Sequence, residues 1–158
     1  MVTEFRYAGD DPQVPFRIEI TFMAQTEVNE LLEELLRSFR EFHCSDNWKE
    51  IEDSNEEKQM VKDKADTARE TLKSMFRSQR QLSNKFLSKK GREKELDILS
   101  KLQSWVLSEM NELPGINDLH HTMTAESLQE CKNHLDRVTS SVANNDGPVL
   151  WPFIKLIR

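Results

Sequence analysis

The sequence predicts a mainly α-helical protein: two N-terminal β-strands, a bundle of about four long helices and a short apolar C-terminal helix. Three observations carry that expectation. Charged residues make up 32% of the 158 positions against 37% apolar, with only 4 Gly and 5 Pro, a composition of long solvated helices. Apolar residues recur at three- and four-residue spacing through most of the chain, as on one face of a helix. Strict alternation of apolar and polar residues is confined to its beginning.

In that beginning, Phe5 and Tyr7 alternate with Glu4 and Arg6, and Phe16, Ile18, Ile20 and Phe22 alternate with Arg17, Glu19 and Thr21. A period of two with aromatic and β-branched residues predicts two strands, joined through the turn-rich stretch 8–15. Two strands alone are marginal in water, so they need partners. From Thr26, an N-cap candidate, the period becomes helical. Val28, Leu31, Leu32, Leu35, Leu36, Phe39 and Phe42 form one apolar face that ends in the "HCSDN" stretch, where Asp46 or Asn47 can cap the next helix. This second helix is expected from about Trp48 into the eighties, its seam carried by Val61, Ala65, Ala68, Leu72, Met75, Leu82 and Phe86, with Gln79 as the polar position. Gly91 marks the break before a third helix on Leu96, Leu99, Leu102, Val106, Met110 and Leu113, which stops before Pro114 and Gly115. A loop over 116–123 leads to a fourth helix, capped by Thr124 and carrying Leu128, Cys131, Leu135, Val138 and Val142. The last stretch, "GPVLWPFIKLIR", is the most apolar in the chain.

Composition excludes several function classes. A net charge of −6 does not favour nucleic acid or an anionic membrane overall. The start lacks the basic and apolar regions of a secretory signal, and no apolar run reaches the ~20 residues of a membrane helix, so the expected setting is soluble and intracellular, nuclear or cytoplasmic. Cys44 and Cys131 are expected as free thiols. The dispersed glycines Gly9, Gly91, Gly115 and Gly147 cannot build a phosphate loop, and neither a G-x-S-x-G elbow nor H-E-x-x-H nor C-x-x-C occurs. No catalytic, cofactor-binding or metal residue is therefore assigned.

Weaker constellations remain. His43, Cys44, Cys131 and His134 offer two nitrogens and two sulfurs, but at a spacing unlike that of familiar zinc sites. His120 and His121 read as polar loop residues, and Glu33 with Glu34 and Glu56 with Glu57 as solvated faces. Charge is segregated: residues 27–70 hold 14 acidic and 7 basic residues, whereas 71–94 hold 8 basic and one acidic. In that stripe Lys85, Lys89, Lys90 and Arg92 are candidate phosphate contacts. Nucleic acid is not the expected partner, because the only aromatics there, Phe76 and Phe86, belong to an apolar seam. Leu72, Met75, Leu150, Trp151, Phe153 and Ile154 are the candidate interaction residues, through which helices could self-associate.

Residues 2–7, "VTEFRY", the strand "FRIEITFM" running into "LLEELLRSFREFH", and the closing "GPVLWPFIKLIR" resemble the middle of a fungal dynamin-like large GTPase, of the group that includes the nuclear SLIP-GC proteins. The resemblance implies that residues 1–24 are two strands of a partial GTPase sheet, 25–146 a helical insertion, and 147–158 an apolar helix leading toward a strand that ends in the metal-binding D-x-P-G motif. GTP and Mg are the family's cofactors. Its phosphate-loop Lys and Ser, switch threonine and D-x-P-G have no counterpart here, so this chain alone is expected to be inactive. The implied partner is the remainder of the GTPase domain. A stand-alone helical interaction module is the alternative.

Overall fold

A computed structural model of the chain describes residues 2–3, 16–45, 55–77, 79–111, 119–139 and 153–157. Its order is β1 (Val2–Thr3), β2 (Phe16–Phe22), α1 (Gln25–Cys44), α2 (Asn55–Met75), α3 (Asn84–Leu87), α4 (Arg92–Asn111), β3 (His120–Ala125), α5 (Leu128–Thr139) and β4 (Ile154–Ile157). The mainly α class is the one predicted. Expectations for Phe5 and Tyr7, for the turn at 8–15, for the caps Asp46 and Asn47, for a helix start at Trp48, and for Leu113, Pro114, Gly115, Val142, Leu150 and Trp151 lie outside the described residues. The chain divides into two compact units: 26–108, and 1–25 together with 109–158.

The second of these units is built on a mixed four-stranded sheet ordered β1-β4-β2-β3. Alternation in β2 works as the sequence predicts. Ile18, Ile20 and Phe22 are buried, while Arg17 and Glu19 pair on the other face at 2.9 Å. Two partners of β2 were not anticipated. The stretch expected as a loop over 116–123 instead supplies β3, antiparallel to β2, with Ile18 opposite Met123 and Ile20 opposite His121. Its pattern "HHTMTA" has only Met123 and Ala125 as apolar inward residues, too few to announce a strand. The pairing with β2 supplies what the local pattern lacks.

The closing segment corrects a second expectation. Over 154–157 it is not a helix but β4, antiparallel to β2 and parallel to β1. Short apolar runs fit either period, and here two β-branched isoleucines and the open edges of two strands select the extended form. A bulge between Thr21 and Phe22 sets Ile157 opposite Ile20 and Ile154 opposite Phe22. Both isoleucines are thereby buried and Lys155 is exposed, which strict alternation would forbid. Beyond the ladder, Met23 N–H donates to Phe153 O at 2.8 Å and Phe22 N–H to Leu119 O at 2.9 Å. Helix α5 lies against β2 and β3 and buries Val138. Its cap is Ser127 rather than Thr124: Ser127 Oγ accepts from Glu130 N–H at 3.2 Å, and Glu130 Oε2 accepts from Glu126 N–H at 2.9 Å. Thr124 is unavailable because it is drawn into β3 opposite Arg17.

The helical unit buries the inner faces of its helices: Val28, Leu32, Leu36 and Phe39 of α1, Ala65, Ala68, Leu72 and Met75 of α2, and Ile98, Leu102, Trp105 and Val106 of α4. Each fully buried Leu, Ile or Phe contributes about 2–3 kcal/mol on transfer from water. The second helix is shorter than predicted. It ends at Met75, and turns closed by Gln79 N–H to Phe76 O and Leu82 N–H to Gln79 O lead to α3, where Ser83 Oγ caps Phe86 N–H at 3.2 Å. Leu82 and Phe86 therefore leave the α2 seam. Phe76, just past the end of α2, is buried with its ring 5.6 Å from Trp105.

Candidate functional site

The side chain that organises the helical unit is Arg40. It follows Leu32 and Leu36 at four-residue spacing on the inner face of α1, so the helix itself carries the guanidinium inward, where it is 8% exposed. Its Nη1 donates to Leu87 O at 3.1 Å and to Lys89 O at 2.8 Å, and its Nε approaches Glu95 Oε2 at 3.2 Å. The two carbonyls belong to the C-terminal end of α3, which has no further turn to satisfy them, and Glu95 lies in the first turn of α4. One guanidinium fork thus fastens three helices, a geometry the rigid planar group suits and a lysine ammonium would not.

Grooves border α4 among the described residues. One, about 900 Å³, runs between α1 and α4, with Glu30, Glu33, Glu34 and Arg37 on the α1 side, Gly91 and Glu95 on the other, and Leu36, Leu96 and Leu99 as its apolar part. Another, about 590 Å³, is bordered by Lys89, Lys90, Lys94 and Lys101 around Phe86 and Ile98. Its cations are partly engaged. Lys89 Nζ stands 5.5 Å over the Phe86 ring, Lys101 Nζ 5.8 Å over Trp105, and Lys94 lies 3.3 Å from Asp97.

Comparison with protein-family models, with curated proteins and with solved structures finds no match to this chain.

The candidates read from the sequence separate cleanly. Leu72, Met75, Phe153 and Ile154 are each 2% exposed or less, so they are core residues and offer no outer surface for a partner. Leu150 and Trp151 lie outside the described residues. Lys85, Lys89 and Lys90 are exposed, Lys89 and Lys90 border the smaller groove, and Arg92 opens α4. Phe76 is spent on Trp105, which leaves Phe86 as the stripe's one aromatic near solvent. His43 and Cys44 belong to the helical unit and Cys131 and His134 to the sheet unit, where His134 lies 3.7 Å from Glu130. Among the described residues, no group of three or more His, Cys, Asp or Glu is placed to hold a metal. No described helix is long and apolar enough to cross a membrane.

His43 sits at the end of α1 with its ring 4.4 Å from Phe39 and 5.0 Å from Phe42. Desolvation by these surroundings lowers its pKa, Asp66 opposes the shift and Arg69 adds to it. Its basicity is thus tuned by α2, the helix that carries both charges.

Periodicity singled out neither Arg40 nor Leu107, and it set Leu96 in the apolar seam of α4, where Leu96 is instead 60% exposed while Ile98 and Trp105 are buried. The signal for Arg40 was present, as a basic residue at the fourth step of the Val28, Leu32, Leu36 series.

Proposed function

We propose that this chain supplies strands of a dynamin-like GTPase domain, with the helical unit as an insertion between them, and that the phosphate-binding residues belong to other segments of the parent protein. The observation that carries the proposal is the sheet. Val2–Thr3 and Ile154–Ile157, which fall within the two segments that bear the family resemblance, are hydrogen-bonded neighbours as β1 and β4, and the "FRIEITF" strand β2 flanks β4 on its other side. Segments from both ends of the sequence therefore belong to one sheet, as an insertion within a sheet domain requires, and the 26–108 unit is a separate compact body. Without a phosphate loop in the sequence, the chain by itself binds no GTP on this reading.

The test is calorimetric titration of Mg-GTP into this chain and into the longer polypeptide encoded by the surrounding reading frame. Binding by the longer polypeptide alone supports the proposal. Heat of binding from the short chain, or silence from both, overturns it. Silence from both favours the second reading, a helical interaction module, for which the outward leucines of α4 are the specific observation: Leu96 is 60% exposed and Leu107 45%.

A further inference from the structure

Helix α4 carries two apolar faces. One, formed by Ile98, Leu102, Trp105 and Val106, is buried in the helical unit. The other, at steps of three, four and four, carries Leu96, Leu99, Gln103 and Leu107, with Leu96 and Leu107 exposed and Leu99 half-buried. A helix that is apolar on two sides is normally covered on both. Leu96 and Leu99 line the 900 Å³ groove, whose opposite wall is the carboxylate row Glu30, Glu33 and Glu34. The positive charges nearest that wall do not cancel it. Arg40 is buried and committed to Glu95 and two carbonyls, which leaves the exposed Arg37 against three exposed carboxylates.

We propose that this groove binds a basic amphipathic helix of another protein, its apolar stripe seated on Leu96 and Leu99 and its lysines or arginines facing Glu30, Glu33 and Glu34. Charge complementarity selects the occupant. An anionic membrane surface or a nucleic-acid backbone is repelled by the same wall. So is the chain's own segment 46–54, which holds Asp46, Glu50, Glu52 and Asp53 against the single Lys49. The apolar row gives anchoring and the acidic row gives orientation and a salt-dependent encounter rate. The inference rests on the helical unit alone and is independent of the nucleotide reading above.

The experiment is fluorescence anisotropy of a fluorescein-labelled synthetic peptide of about 18 residues, five helical turns, with leucines at three- and four-residue steps and lysines elsewhere. It is titrated with the full chain beside a scrambled peptide of the same composition and a leucine–glutamate counterpart. Saturable binding of the amphipathic lysine peptide alone is expected, weakening as salt rises. Leu96→Asn should weaken it by about tenfold with an unchanged thermal melt, since that side chain is already in solvent. Replacing Glu30, Glu33 and Glu34 together by Gln should weaken it and flatten its salt dependence. Leu128→Asn on α5, at the more exposed Leu128, should change nothing. The proposal is overturned by equal binding of the scrambled or glutamate peptide, by no saturation up to about 1 mM, or by indifference to Leu96→Asn. It is also overturned if the chain alone forms dimers that Leu96→Asn dissociates, which would assign the groove to a second copy.

Discussion

At the residue scale, Arg40 is the most consequential side chain. Removing it strands the buried Leu87 carbonyl and the part-buried Lys89 carbonyl and leaves Glu95 without its cation. Arg40→Ala should therefore destabilise the helical unit by about 2–4 kcal/mol in urea denaturation, well above the usual cost of a surface change. Arg40→Lys keeps the charge but cannot reach three acceptors in one plane, so about half that loss is expected. Glu95→Gln should cost under about 1 kcal/mol, because the carboxylate is nearly half exposed and water screens it. His43 gives a test with a sign. Its folded pKa is below the ordinary value of about 6.5, so the fold favours the neutral ring. Its contribution to stability is then fully present above about pH 6.5, declines as pH falls through that value, and levels off below the lowered folded pKa. NMR titration should show Asp66→Asn lowering the His43 pKa further, by removing the carboxylate that raises it, and Arg69→Gln raising it. Movement in the opposite directions would mean that α2 does not tune the ring.

At the element scale, the boundaries obey local chemistry. Gly91 has φ +107°, a conformation that side-chain-bearing residues rarely adopt, and its carbonyl accepts the first helical hydrogen bond of α4 from Glu95 N–H at 3.1 Å. An added Cβ would meet only Lys94 Cγ at 3.9 Å, so the penalty of Gly91→Ala is conformational and not steric. A loss of about 1–2 kcal/mol is expected in thermal or urea unfolding. A neutral result would mean that the α3–α4 junction adopts another backbone form. In the sheet unit, Ser127→Ala removes the cap of α5 and should cost about 1 kcal/mol, whereas Thr124→Ala, at the cap position the sequence suggested, should not weaken the helix start.

At the scale of the whole molecule, the division into two units makes a prediction about cooperativity. Ile20 lies in the centre of the sheet and Leu72 in the centre of the helical unit, both with no exposed surface. Ile20→Ala and Leu72→Ala should each remove about 2–5 kcal/mol, but from different sets of amides in native-state hydrogen exchange. Ile20→Ala should accelerate exchange in β2, β3 and β4, and Leu72→Ala in α1, α2 and α4. Uniform acceleration by either variant would mean that the chain opens as a single cooperative body. The sheet unit is assembled from distant segments, so loop closure opposes its formation more than that of the contiguous helices, and it should fold later.

Local periodicity by itself determined the helical class, the face of α1, the break at Gly91 and the alternation of β2, because each depends on residues within a few positions of one another. It showed the apolar faces but not which would be covered: Leu96 obeys the same spacing as Leu102 and stays in solvent. Tertiary structure alone decided that residues 120–125 and 154–157 are strands, since their hydrogen bonds are to β2 and β1 and lie far away in sequence. It likewise decided the bulge that buries both Ile154 and Ile157, and the burial of Arg40 against Leu87, Lys89 and Glu95. In each case the deciding partner is nonlocal, and no spacing within the segment can encode it.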